Sequence, residues 1–134
     1  MHGLHLTADL HGCPAQQAAM TDPAALRACC LAAVRAAGLT PVGELFHRFE
    51  AAAQTHSASG ITGVLLLAES HLAVHTWPEL CAVTIDVYVC NFQGDNSQRA
   101  QVALESLIGT FGATQVLRQS LQRGAVPAGA MRRI

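Results

Sequence analysis

Ser59-Gly60-Ile61-Thr62-Gly63-Val64-Leu65-Leu66-Leu67-Ala68-Glu69-Ser70-His71-Leu72-Ala73-Val74-His75-Thr76-Trp77-Pro78-Glu79 is the stretch around which the chain is organised. Residues 61–68 are an almost unbroken apolar run, and periodicity alone fits it equally to a buried helix segment or to a strand covered on both faces. Its shortness, its β-branched residues and Gly60 and Gly63 favour the strand. The run stops at Glu69-Ser70-His71, with His75 four residues further on and the chain's one tryptophan at Trp77. An acid, a hydroxyl and two imidazoles at the end of a buried strand cost desolvation energy unless they are paired, so they mark a candidate functional site. Residues 81–90 then alternate cleanly. Cys81, Val83, Ile85, Val87 and Val89 face one way, and Ala82, Thr84, Asp86, Tyr88 and Cys90 the other, which predicts a strand with one core face and one polar face.

Outward from this centre, residues 2–10 read as a first strand, with Leu4, Leu6, Ala8 and Leu10 alternating against His5, Thr7 and Asp9. Asp22 and Pro23 begin a helix as N-cap and first helical residue, and the alanine-rich run from Ala24 ends at Gly38. Residues 40–49 predict a second strand. Residues 50–59 predict a loop, with a helical turn at 51–54. Strands at 61–69, 71–77 and 81–90 follow, then a turn at 93–96. Ser97–Phe111 predicts an amphipathic helix with Val102, Leu107 and Ile108 available for the core. A last strand is expected at 114–121, and a loose tail at 124–134. Runs of strands with two intervening helices predict an α+β fold: one domain over 1–134, a two-layer αβ sandwich with a mostly antiparallel sheet.

Composition narrows the class of function. With 51% hydrophobic and 13% charged residues, the 134-residue chain is apolar for its size, which suggests a covered subunit interface. The net charge of −1 and scattered arginines give no footprint for nucleic acid. All eight basic residues are arginine; without lysine there is no Schiff-base anchor for pyridoxal phosphate, so amine chemistry here needs another carbonyl. Five cysteines without a C-x-x-C pair argue against a zinc knuckle or dithiol redox motif, and fit a cytoplasmic protein with reduced thiols. No signal peptide is expected from Met1-His2-Gly3, and no apolar run is long enough to cross a membrane.

Gly60-x-x-Gly63 leading into Glu69-Ser70-His71, then His75-Thr76-Trp77-Pro78-Glu79, Asp86 and Cys90, resembles the short prokaryotic S-adenosylmethionine decarboxylases. Gly3-Leu4-His5-Leu6 and Phe46-His47-Arg48-Phe49 match as well; the likeness covers most of residues 3–90. It implies a proenzyme that cleaves itself between Glu69 and Ser70 into chains 1–69 and 70–134. The Ser70 hydroxyl attacks the Glu69 carbonyl, and elimination followed by hydrolysis leaves a covalent pyruvoyl group in place of Ser70. That group is the missing carbonyl, and it takes up electrons as CO2 leaves a small-molecule substrate. The same resemblance assigns His75 as processing base, Cys90 as proton donor in turnover and Thr62 as the hydroxyl assisting the acyl shift. It places Phe49 against adenine and Glu79 on the ribose hydroxyls. It further implies a homodimer stacked sheet on sheet as αββα layers. The product would supply aminopropyl groups for polyamine (spermidine) synthesis.

Three features of the residues bear on these expectations. Ser70 and His75 are an odd number of residues apart, so in one strand they face opposite ways, and a bend or bulge is needed if they cooperate. Threonine at position 62 stands where the family more usually has serine; it keeps the hydroxyl but restricts its rotamer. The loop after Phe49 is longer than in short family members, and Leu80-Cys81-Ala82 replaces more usual aromatics. These departures keep two alternatives open: a pyruvoyl-dependent ornithine or arginine decarboxylase, and an unprocessed homologue acting as a binding or regulatory subunit. A metal site built from His71 and His75 with His5 or His11 lacks an obvious fourth ligand.

Overall fold

A computed structural model describes residues 2–50, 59–92 and 94–126. Six strands form one sheet in the order β2-β3-β4-β5-β1-β6, and every neighbouring pair is antiparallel. They are β1 (Gly3–His11), β2 (Pro41–Arg48), β3 (Ile61–Leu67), β4 (Ser70–Trp77), β5 (Ala82–Cys90) and β6 (Gln115–Arg123). Three helices, α1 (Ala18–Thr21), α2 (Pro23–Ala36) and α3 (Ser97–Phe111), contact the sheet from the face that carries its buried residues. This is the α+β two-layer arrangement expected.

Each strand reaches this arrangement by alternation. In β5, Val83, Ile85, Val87 and Val89 are buried while Thr84, Asp86, Tyr88 and Cys90 are partly open. In β1, Leu4, Leu6, Ala8 and Leu10 go to the core and His5, Thr7 and Asp9 to the other face. Helix α2 covers the core with Leu26, Cys30, Leu31, Ala33 and Val34, and α3 does so with Ala100, Ala103, Leu104, Leu107, Ile108 and Phe111. Removing a fully buried side chain such as Leu72 or Phe111 from this layer would cost about 2–5 kcal/mol. Burial of Cys30 beside Cys29 pushes its thiol up to about 12, so it packs as an inert small hydrophobe.

Some local readings need correction. The 61–69 strand ends at Leu67, because Ala68 and Glu69 form a tight turn. It is covered on one face only: Ile61, Gly63, Leu65 and Leu67 are buried, while Leu66 is half exposed. Val102 also points outward, the helix using Ala103 and Leu104 instead. Helix α1 was not expected, since four residues give no periodicity to read. Asp22 caps α2 as expected, accepting a hydrogen bond from the Ala24 N–H at 3.0 Å. The helical turn expected at 51–54 lies outside the described residues, as do most of the loop at 50–59 and most of the tail.

The sheet face away from the helices is open. Leu45, Leu66, Leu117 and Leu121 expose half or more of their surface there. Between them lies a polar patch in which His5 Nε2 stands 3.7 Å from Asp86 Oδ1, with His71 and Tyr88 rings 5.5 Å apart. Burial and the neighbouring His5 hold the His71 imidazole below the usual histidine range, against a smaller opposing pull from Asp86.

Candidate active site

The β3–β4 turn presents Glu69 and Ser70 at one end of the sheet. Leu67 pairs with Ser70, so only Ala68 and Glu69 make the connection. Glu69 takes a positive φ of 58°, and Ser70 follows it at the first position of β4. The Ser70 Oγ accepts a hydrogen bond from the Cys90 N–H at 3.1 Å, which ties the serine to the end of β5. Both residues line a cleft of about 470 Å³ with Glu69, Leu67, Leu39, Thr40, Asn96 and Arg99. A hydroxyl next to the peptide it could attack gives this cleft a candidate nucleophile. Cys90 borders it at the adjoining strand end, in contact through its backbone N–H and in alternation with Asp86 and Tyr88.

The loop leaving β5 holds Cys90 in place. Asn96 Nδ2 donates to the Cys90 carbonyl at 2.9 Å, and the Asn96 N–H donates to Asn91 Oδ1 at 2.8 Å. Arg99 Nη1 in turn donates to Asn96 Oδ1 at 2.8 Å. Sequence reasoning did not single out Asn96 and Arg99, because no motif surrounds them. The one available signal was their position directly after a strand that ends in a candidate proton donor.

The other expected residues lie elsewhere. Thr62 Oγ1 and His75 Nδ1 are hydrogen-bonded at 3.1 Å on the open face, where β3 and β4 pair them directly. Threonine thus keeps the hydroxyl in contact with the imidazole. The His75 ring stacks on Trp77, with centroids 5.8 Å apart. Phe49 is half exposed beyond the end of β2, its N–H bonded to the Gly60 carbonyl at 2.9 Å and its ring edge-on to His47. A side chain at Gly60 would collide with the Thr76 carbonyl, so glycine is required where the chain re-enters the sheet beside Phe49. Glu79 is exposed in a single 3₁₀ turn, Pro78–Leu80, at that same far end.

Ser70 and His75 are therefore not brought together. The β4 ladders to β3 and β5 run without a register shift, so the bend or bulge expected between them is not there. His75 lies on the open face, and Ser70 pairs on the helix side with buried Leu67. Five residues of strand also separate them by about 17 Å. Among the described residues no three His, Cys, Asp or Glu side chains form a group able to hold a metal ion.

A single antiparallel sheet layered with helices, with a Glu-Ser turn and a cysteine at one cleft, defines a small two-layer α+β protein. The chain belongs to the S-adenosylmethionine decarboxylase family, whose model matches residues 4–124. It is 38% identical over 124 residues to the S-adenosylmethionine decarboxylase proenzyme of Aquifex aeolicus (strain VF5), covering 92% of this chain and 82% of that one. The proenzyme of Prochlorococcus marinus (strain MIT 9313) is 38% identical over 123 residues, 92% and 88% of the two chains. The crystal structure of the adenosylmethionine decarboxylase from Aquifex aeolicus VF5 superposes with a TM-score of 0.79 at 33% identity, covering 94% of this chain and 93% of that one.

Proposed function

We propose that this chain is the proenzyme of a pyruvoyl-dependent decarboxylase of S-adenosylmethionine, activated by its own cleavage between Glu69 and Ser70. The observation that carries this reading is the Glu69–Ser70 turn opening into a cleft with Cys90, the Ser70 hydroxyl held by the Cys90 N–H. Ser70 fits as the source of the group, since its hydroxyl borders the scissile carbonyl and the cleft has room for a reacting amino acid. Once formed, the pyruvoyl group supplies a carbonyl that can take up the electron pair released as CO2 departs. Cys90 stands beside it to return a proton to the substrate carbon. The Asn96 and Arg99 bonds keep that strand end from moving.

The remaining site residues act from a second copy of the chain. His75 and Thr62 sit on the open, apolar-rimmed face, and Phe49 and Glu79 lie at the end of the sheet opposite Ser70. Stacking two sheets face to face about a two-fold axis that runs across the strands sets the far end of one protomer against the near end of its partner. The partner's Thr62 and His75 then serve as processing support and base, while its Phe49 and Glu79 hold the adenine and ribose. The dimer completes two equivalent sites and covers Leu45, Leu66, Leu117 and Leu121. Among the described residues no helix is long and apolar enough to cross a membrane, and all five cysteines are free thiols, which suits a cytoplasmic setting.

The substrate is tested by CO2 release from S-adenosylmethionine, ornithine and arginine on cleaved protein. Release from S-adenosylmethionine alone is expected. Preference for either basic amino acid would contradict the assigned substrate while leaving the cleavage chemistry in place.

A further inference from the structure

The turn that carries the scissile peptide has an unusual residue for its backbone. Ala68 and Glu69 connect the paired residues Leu67 and Ser70, and of the two only Glu69 has a positive φ, at 58°. That geometry, positive φ at the third position of a four-residue turn, is one that glycine adopts freely. A residue with a Cβ is strained there, because the Cβ crowds the carbonyl oxygen that follows it. At Glu69 that carbonyl belongs to the scissile peptide. Elsewhere the chain meets the same demand with glycine, at Gly12, Gly38, Gly112 and Gly124; among the described residues Cys81 is the one other exception.

The surroundings hold Glu69 in this conformation without rewarding its side chain. Leu67 is anchored in the core on one side of the turn. Ser70 is held on the other by its pairing and by the Cys90 N–H. The Glu69 side chain is exposed and makes no hydrogen bond or ion pair among the described residues. Strain that persists at one residue because both neighbours are fixed is a recurrent property of reacting sites.

We propose that the left-handed backbone of Glu69 is a strained ground state that self-cleavage relieves, making Glu69 a positioning residue for the breaking of its own peptide bond. The proposal rests on the self-cleavage reading above. In the first step Ser70 Oγ bonds to the Glu69 carbonyl carbon, the peptide C–N bond breaks, and the hydroxyl proton ends on the freed Ser70 nitrogen. In the second, Ser70 Cα loses a proton and the Cβ–Oγ bond breaks, leaving Glu69 as a free carboxylate and residue 70 as dehydroalanine. Water then displaces the nitrogen as ammonia to give the pyruvoyl group. In the ester formed by the first step the link from residue 69 to residue 70 runs through Oγ and Cβ, one atom longer than through the peptide nitrogen. Residue 69 can therefore leave the left-handed region as the C–N bond breaks.

The test compares Glu69→Ala with Glu69→Gly, which both lack the carboxylate but differ in the Cβ that creates the strain. Cleavage is followed by intact mass after synthesis in a cell-free system. Glu69→Ala is expected to cleave within about two-fold of wild type, and Glu69→Gly roughly five- to thirty-fold more slowly. Equal rates for the two variants, or an alanine variant as slow as glycine, would overturn the proposal. A wild-type chain that stays intact would instead count against the self-cleavage reading itself. On the uncleavable Ser70→Ala background, Glu69→Gly should melt about 2–5 °C above Glu69→Ala. Equal melting temperatures there would remove the strain whatever the cleavage rates.

Discussion

The two ends of the sheet differ in what they carry. One end holds the Glu69–Ser70 turn, Cys90 and the Asn96–Arg99 support, packed around a cleft that opens on the helix side. The other holds Phe49, Trp77 and Glu79, each with a third or more of its surface exposed and none facing a reacting group. About 24 Å of β4 lies between them. The proposed reacting residues thus lie at one end and the proposed recognition residues at the other, with the hydrogen-bonded Thr62–His75 pair on the open face. On the proposed reading a single protomer carries every part of the site without assembling it, and the open face would be the means of assembly.

The comparison is broken most sharply by changing the near end alone. Cys90→Ala should still be cleaved, but CO2 release from S-adenosylmethionine should fall by roughly 10²- to 10⁴-fold, the usual loss for a removed general acid. Unchanged turnover in the cleaved variant would take Cys90 out of the reaction. A change at the far end should leave cleavage intact and weaken recognition. Phe49→Ala is expected to lower kcat/KM roughly tenfold, measured on cleaved protein, since ring stacking adds about 0.5–1.5 kcal/mol beyond burial.

Between the ends, the polar patch should make stability depend on pH. Burial and His5 disfavour the protonated form of His71 in the folded chain. The unfolded chain therefore takes up a proton first as pH falls through the ordinary histidine range, and stability drops there. His71→Gln should flatten the fall in Tm between pH 8 and 5.5; an undiminished fall would shift the cause to another group. The smallest effect belongs to Cys81, the far-end counterpart of Glu69, with φ of 50°. Cys81→Gly should gain about 1 kcal/mol or less of stability, read by denaturant titration, and leave cleavage unchanged.

Much of this arrangement could be read from residue order. The alternation in residues 4–10 and 83–90 placed the side chains on the correct faces. Cys81, expected as the first core residue of that strand, instead stands before it in a left-handed turn, and Ala82, expected on the polar face, is buried. Asp22-Pro23 and Ser97 marked helix starts within a residue. The Glu-Ser-His junction marked where the apolar run stops, although the strand ends two residues earlier, at Leu67, with Ala68 and Glu69 in the turn. Strand order is another matter, because β1 inserts between β5 and β6 through contacts that no local pattern encodes. The parity of Ser70 and His75 was also legible. Its meaning was not: an odd spacing is equally compatible with a bulge and with two residues serving different sites, and the unbroken register of β4 removes the first. The backbone of Glu69 was hidden for a related reason, since glutamate carries no sequence mark of a left-handed turn.

The division of one site between two protomers is tested most directly by co-expressing Ser70→Ala with His75→Ala and weighing the intact chains. Each variant alone should remain uncleaved, one lacking the nucleophile and the other the base. In the mixed dimer, the His75→Ala chain should be cleaved, because its own Ser70 meets the intact His75 of its partner, while the Ser70→Ala chain stays whole. Persistence of both chains uncut in a mixture proven to contain heterodimers would contradict the account.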